Sequence, residues 1–404
     1  MTERKLFVVA ILTTLFVLAA LIVSLLIAPL VARHTRLSTN PLHGRSNMVD
    51  WLQMWDGELG LRPAKWEHVT LKHGSPAEIV LNDERTNTFP RYGTWTSNEI
   101  EFPFGVTEFI PSWNVTTPPD TGIWFSISTR DSRSGEWSPW LYIGQWGRTL
   151  FDEDRPVEFA HGAVHVDNLL LDRPASAVKI RAKFQSFSLD KSVNPAMRRI
   201  AVVCSGQVSD PQQYAKLVRA PKIEGDWRRD LGVPFRPQGD GYKSFAGIIC
   251  SPTSTSMVLQ YFGVNLPTNE NALAIYDPEN DMFGNWGRNV ARAGELGMDA
   301  WIDRFRNWDQ VKAMIAKGQP LIANIRFNKD EFPGNIQPST AGHLIVLRGM
   351  TRDGDIIVND PASRAKGNGV IYKASELGKA WFDNSGGVAY VIHPTTREST
   401  AQAR

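Results

Sequence analysis

Along the chain the spacing of apolar and polar positions changes character several times. From Leu6 to Ala32 no residue is charged, and the run is long enough to cross a bilayer as a helix with some tilt. In residues 41–66, Met48, Trp51, Leu52, Trp55 and Leu59 fall on one helical face. This predicts an amphipathic juxtamembrane connector that either lies on the membrane surface or packs on the next domain. Residues 67–205 then read as short strands: Ile79–Leu81, Ile123–Ile127 and Val178–Phe184 stand between turn clusters such as Thr117–Asp120 and Asp131–Gly135. Many short strands at that spacing predict an all-β sandwich. Residues 206–230 are polar, contain Pro211 and Pro221, and read as a linker.

Residues 231–394 mix the two periods. A Gly-rich run from Gln238 to Gly247 leads to Cys250-Ser251-Pro252, and Met257, Val258, Tyr261 and Phe262 then recur at helical spacing until Gly263. A helix starting near Cys250 follows, with Pro252 in its first turn. Val290, Ala293 and Leu296 predict a second helix, closed by Gly297. A third begins at the capping pair Asn307 and Gln310 and stops before Pro320. Strands are predicted at Leu321–Phe327, Leu344–Leu347, Ile356–Val358, Val370–Tyr372 and Val388–Ile392, with a short helix near Ser375. Helices first and antiparallel strands after is an α+β pattern. Residues 395–404 form a polar tail.

The chain has 404 residues, a length that suits two to three domains. Its net charge of +2 leaves no strong basic field, which argues against a nucleic-acid partner. Two cysteines cannot make a disulfide scaffold, and a Cys204–Cys250 bridge would consume the thiol of most chemical interest. No His or Cys pair has metal-ligand spacing, and no Gly-rich phosphate motif joins a strand to a helix. No cofactor is therefore expected. Arg4 and Lys5 precede the apolar run, which is long for a signal-peptide core and lacks a small-residue cleavage site. It reads as an uncleaved anchor, with a cleaved export signal as the alternative. Arg33 and Arg36 at its other end leave the orientation open on charge alone.

Cys250 sits where a loop becomes a helix. Unpaired N–H groups and the helix dipole converge at such a place and favour a thiolate. Of eight histidines, only His343 and His393 lie beyond residue 230. His343 opens an apolar strand, the turn Arg352-Asp353-Gly354-Asp355 follows, and the returning strand ends at Asn359-Asp360-Pro361. A hairpin of this length brings Asp360 next to His343, so nucleophile, base and orienting acid can assemble. Asn359 and Asp360 are neighbours on a strand, so only one can point at the imidazole.

On Val233-Pro234-Phe235-Arg236-Pro237-Gln238, Cys250-Ser251-Pro252-Thr253-Ser254, Gly342–Val346 and Val358-Asn359-Asp360-Pro361, residues 230–394 resemble the papain-like cysteine peptidases of the bacteriocin-processing, double-glycine type. The match is closer to their exported relatives, which lack a transporter. The resemblance implies Cys250 as nucleophile, His343 as general base, Asp360 as orienting residue and Gln238 as oxyanion-hole donor. Ser251 stands where Gly is commoner, and Gln238 lies twelve residues before Cys250. Residues 112–146 resemble the β-rich accessory region of those relatives.

The expected architecture is thus a papain-like α+β peptidase domain, preceded by an all-β sandwich domain and an N-terminal transmembrane helix, with the catalytic part outside the cytoplasm. The expected partner is a peptide or protein substrate. An acyltransferase or transglutaminase-like enzyme with the same triad is one alternative. A non-enzymatic cell-surface glycan binder is another, because six of the fourteen tryptophans lie between Trp95 and Trp146, where exposed rings could stack on sugars. Asn114-Val115-Thr116 is also a glycosylation sequon.

Overall fold

Two antiparallel sheets dominate the computed structural model, which describes residues 47–82, 88–151, 154–218 and 220–395. Twelve strands form the first sheet. They are β1 (Met48–Asp56), β2 (Lys65–Glu67), β3 (Val69–Lys72), β4 (Glu78–Leu81), β5 (Arg91–Thr96), β6 (Ile100–Thr116), β7 (Thr121–Asp131), β8 (Leu141–Gly147), β9 (Glu158–Phe159), β10 (Gly162–His165), β11 (Asn168–Ser186) and β12 (Ala196–Gln207). The long β11 pairs β6 through Val178 and β5 from Arg181 onward, with β7 along its other side. Alternation explains the inner layer. In β5 the residues Arg91, Gly93 and Trp95 turn inward while Tyr92, Thr94 and Thr96 turn out. Trp95, Phe109, Phe125 and Phe184 are fully buried in one core.

The second sheet runs β13-β18-β14-β15-β16-β17, from β13 (Met298–Arg304), β14 (Leu321–Phe327), β15 (Thr340–Met350), β16 (Ile356–Asn359), β17 (Val370–Tyr372) and β18 (Val388–Pro394). The helices of the described residues include α1 (Pro211–Leu217), α2 (Cys250–Tyr261), α3 (Thr268–Ile275), α4 (Trp286–Glu295), α5 (Trp308–Ala316) and α6 (Ala374–Gly378). Their ends follow the sequence signals. Gly263 closes α2 at φ +92°, and Asn307 caps α5 by accepting from Gln310 N at 3.1 Å. The Gln310 side chain reaches back to Arg306 N at 2.7 Å.

Three expectations need correction. The connector is not a helix: Met48–Asp56 is strand β1, paired with β12 from Met48↔Gln207 to Asp56↔Arg199. Its faces serve two cores, Val49 and Trp55 entering the first and Leu52 packing on the second. A strand buried on both sides carries no clean two-residue period, and its apolar residues fell on helical spacing instead. The linker region holds helix α1, capped by Asp210 accepting from Gln212 N at 2.9 Å. The sequon is unusable, because Asn114 is fully buried. The anchor Leu6–Ala32 lies outside the described residues, as does the tail from 396 on. Among the described residues no helix is long and apolar enough to cross a membrane.

Asn114 instead joins the sheets. Its Nδ2 donates to Ala300 O at 2.7 Å and its Oδ1 accepts from Ala300 N at 3.0 Å. Two residues away, Ser112 Oγ accepts from Ile302 N at 3.2 Å. Side chains of β6 thus satisfy the outer edge of β13 as a neighbouring strand would. Charges surround this seam. Arg304 and Glu108 meet at 2.7 Å with both side chains buried. Arg198 meets Asp299 at 2.9 Å, and Arg306 holds both oxygens of Asp50. The two sheets accordingly belong to one compact unit.

Candidate active site

Cys250 is the first residue of α2 and remains partly exposed, whereas the rest of that helix's first turns is buried. At this position its own N–H has no acceptor within the helix. The helix is held against β15 by Ser254 Oγ, which donates to Leu344 O at 2.9 Å beside His343. His343 itself is 2 % exposed. Its Nε2 lies 2.8 Å from Asp360 Oδ1, which leaves Nδ1 as the ring nitrogen available to the Cys250 thiol.

Asp360 is enclosed by donors. Oδ1 also accepts from Ala362 N at 2.9 Å, and Oδ2 accepts from Tyr372 OH at 2.7 Å. The loop after it closes through Asp360 N to Gly367 O at 2.8 Å. A Cβ on Gly367 would collide with the Asp360 carbonyl, so only glycine fits there. Asn359 points the other way. Its Nδ2 donates to Val233 O at 2.9 Å, and its Oδ1 accepts from Arg348 Nη1 at 3.0 Å and Gly369 N at 3.1 Å. Arg348 occupies a bulge in β15 between Leu347 and Gly349, and from there it also grips Asp230 at 2.6 Å.

The ionisation states follow from this enclosure. Burial alone would raise the Cys250 thiol, but the hydrogen bond and charge of His343 overcome it, helped by the backbone N–H groups of Leu344 and Ser251, and the net shift is downward. Burial would lower His343, yet the Asp360 charge and hydrogen bond, then the thiol, raise it. Burial would raise Asp360, and the charge of His343 with the surrounding donors lowers it. All three shifts favour a thiolate beside an imidazolium. Cys204, by contrast, is fully buried with its thiol pushed well up. Both cysteines are free.

Gln238 is buried in a short 3-10 turn. Its backbone N–H donates to Pro361 O at 2.9 Å, tying it to the Asp360 loop. Its Nε2 donates to Gly247 O at 3.1 Å, three residues before Cys250, and its Oε1 is buried with no hydrogen-bond partner among the described residues. Sequence reasoning did not find Tyr372 or Tyr390 as parts of this site. Tyr390 OH meets Ser251 Oγ at 2.9 Å behind the cysteine. Both tyrosines sat on expected strands, but only the cross-strand geometry of β17 and β18 brings them to the site.

The family model described as "Peptidase_C39 like family" matches residues 230–389, a span that contains Gln238, Cys250, His343 and Asp360. This part of the chain is a C39-like peptidase region. A second model, the peptidase C39 N-terminal domain, matches residues 45–205. The accessory region of this C39-like chain therefore takes in β1 and β2 instead of starting at residue 67. The first match suggests a cysteine peptidase.

No curated protein matches the C39-like chain. Among solved structures, it is similar to the C-terminal CBM6 of LamC, a marine laminarinase from Zobellia galactanivorans, at 11% identity and a TM-score of 0.20, over 38% of this chain and 98% of that one. It is also similar to TmCBM61, solved with β-1,4-galactotriose, at 10% identity and a TM-score of 0.21, over 38% of this chain and 95% of that one. Likenesses this low carry neither a fold nor a ligand over to this chain.

Proposed function

We propose that this chain is a cysteine peptidase that hydrolyses peptide bonds with Cys250 as nucleophile, His343 as acid and base, and Asp360 as the group that orients and charges the imidazole. What carries the reading is the arrangement of the three groups: Cys250 at the helix start, its thiol held down by His343 against the effect of burial, and His343 Nε2 2.8 Å from Asp360 Oδ1. In the resting pair the thiolate sulfur attacks the peptide carbonyl carbon. The carbonyl oxygen takes up negative charge, and the Cys250 N–H at the helix start is placed to stabilise it, with the second amide hydrogen of Gln238 Nε2 as the other donor. His343 gives its Nδ1 proton to the departing amine nitrogen, and the C–N bond breaks to leave a thioester. Water then attacks the thioester as His343 takes its proton, and the carboxylate product leaves with the thiolate restored. Asp360 keeps its charge throughout and holds the imidazolium in place.

We propose further that Leu6–Ala32 anchors the protein with the catalytic region outside the cytoplasm. The uncharged run and the resemblance to exported peptidases support this. The test of the catalytic reading is alkylation by iodoacetamide between pH 5 and 9 with mass mapping of the modified residue. Cys250 should react well below the pH range of an ordinary thiol, and His343→Ala should move that reaction to alkaline pH. Modification of Cys204 in preference to Cys250, or an unchanged profile in His343→Ala, would remove the basis of the proposal.

A further inference from the structure

The tryptophans that first suggested a sugar platform are spent inside the fold or covered. Trp95, Trp113, Trp124 and Trp146 are core residues. Lys179 Nζ covers the Trp137 ring at 3.5 Å, and the Arg181 guanidinium covers Trp140 at 3.9 Å. A different apolar surface stands beside the nucleophile, on residues 239–249, which join Gln238 to Cys250. Their backbone is pinned. Gly241 N donates to Gln238 O at 3.0 Å, Tyr242 O accepts from Phe245 N and Ala246 N at 2.9 Å each, and Ile248 N donates to Phe245 O at 3.0 Å. Asn269 of α3 accepts from Tyr242 N at 3.0 Å. The Phe245 and Phe283 rings pack with centroids 5.0 Å apart, beside buried Ile249 and Ala272. The two arms of the loop touch, since a Cβ on Gly241 would meet both Ile249 Cδ1 and Ala246 Cα.

This fixed loop holds two large apolar side chains out in solvent, Ile248 at 60% exposure and Tyr242 at 57%. Leu273, one turn along α3 from Asn269, is 56% exposed. Scattered apolar residues on a surface need no explanation, but these run up to the reacting sulfur. Two residues of chain keep the Ile248 Cα within about 7 Å of the Cys250 Cα. Gln238 Nε2, the second oxyanion donor, holds the carbonyl of Gly247, the residue before Ile248. Gly247 faces open space. A Cβ there would meet nothing within 4 Å, and its φ is not left-handed, so neither packing nor backbone geometry asks for glycine. A residue without a side chain at this place lets a second chain come close.

We propose that residues 239–249 are the specificity loop of this enzyme: Ile248 and Tyr242 seat a bulky apolar side chain of the peptide substrate, borne within two residues of the scissile bond, while the substrate backbone passes over Gly247. The reach sets the position. An extended peptide advances about 3.3 Å per residue, so a side chain two residues from the carbonyl under attack lies about as far from the sulfur as Ile248 does. The chemistry sets the class. Both exposed side chains are large and apolar on a backbone that is already ordered, so covering them removes apolar surface from water without the cost of ordering the loop. This inference rests on the peptidase reading and narrows its substrates to peptides with Leu, Ile, Met or Phe beside the cut.

The test digests a proteome-derived peptide library with the full chain in mild detergent and reads the two residues on each side of every cut that Cys250→Ala abolishes. A bulky apolar residue is expected at one fixed position among those four. One such peptide and its Gly-substituted twin are then compared in the parent, Ile248→Ser and Tyr242→Ser. The parent should favour the apolar peptide at least about tenfold in kcat/KM, and Ile248→Ser should cut that preference at least about fivefold. Tyr242→Ser should cut it as well. Iodoacetamide, which has no side chain to place, should alkylate Cys250 at the parent's rate in both variants, and both should match the parent in thermal unfolding. No Cys250-dependent cut at all would remove the peptidase reading and this inference with it. Cys250-dependent cuts without an apolar preference, cuts flanked only by glycines, a preference unchanged in both variants, or alkylation slowed as much as cleavage would overturn the specificity loop alone.

Discussion

Replacing Asp360 by Asn should cost activity, while replacing its neighbour Asn359 by Ala should cost stability, and the contrast follows from the partners of each side chain. In Asp360→Asn the amide oxygen can stay on His343 Nε2 and Ala362 N, and the new amide group can face Tyr372, whose hydroxyl can turn to accept. Geometry survives and charge is lost. For unit charges about 4 Å apart at an effective dielectric near 20, the lost attraction is about 4 kcal/mol. That sets a ceiling near 10³-fold in rate, below the ~10⁴-fold known for an equivalent change beside a serine. A thiol is partly ionised without help, so we expect about 10²-fold in kcat/KM near neutral pH and an upward shift of the Cys250 thiol. Asn359→Ala takes from the Val233 carbonyl its nearer donor, leaving Arg348 Nη1 at 3.5 Å, and takes from the half-buried Gly369 N–H its acceptor, at about 1–3 kcal/mol in all. Its kcat per folded molecule should be nearly kept. The assay is the pH dependence of iodoacetamide alkylation and of kcat/KM on one cleaved peptide, with urea midpoints for both variants. If Asp360→Asn leaves the alkylation profile unmoved, or Asn359→Ala lowers kcat more than it lowers stability, the role given to Asp360 is wrong.

Other outcomes follow from neighbouring residues. Tyr372→Phe removes a hydrogen bond to the Asp360 carboxylate, so the acid limb of the kcat/KM–pH profile should move to higher pH, with about a tenfold loss near pH 5; an unmoved limb would limit Tyr372 to packing. Burial raises the Asp167 carboxyl to about 8, against the pull of the Trp286 and Gly287 N–H groups at the start of α4. Its folded value lies above its unfolded one, so its contribution is full below about pH 4 and is lost as pH rises through about 8. Unfolding midpoints should fall between pH 6 and 9 in the parent and fall less in Asp167→Asn. Asn114→Ala strips partners from both backbone groups of Ala300 and should destabilise by about 2–4 kcal/mol in urea unfolding; a neutral change would mean that water replaces the side chain there.

What could be read from sequence was what depends on near neighbours. The loop-to-helix step at Cys250, the caps at Gly263 and Asn307, and the hairpin joining His343 to Asp360 are encoded within a few residues of each site. Partners that depend on distant register could not be read. β13 is not legible in the sequence because Met298–Arg304 mixes Asp299, Asp303 and Arg304 into a strand, and the partners of Asp299 and Arg304 lie on the distant first sheet. β1 shows no strand period in the sequence because its two faces enter different cores. Tyr372 reaches Asp360 only because β17 pairs with β16 at Ile356↔Tyr372, and a single sequence does not carry that register. The hydroxyl of Tyr390 behind Ser251 is the same kind of long-range fact.

The central claim, hydrolysis of peptide bonds by Cys250, is tested most directly by digesting a proteome-derived peptide library in ¹⁸O-labelled water, with and without an added primary amine. The account predicts new C-termini carrying ¹⁸O in the parent protein, none in Cys250→Ala, and little amine incorporation when amine is present. New termini that persist in Cys250→Ala, or products found only as amine adducts, would contradict it.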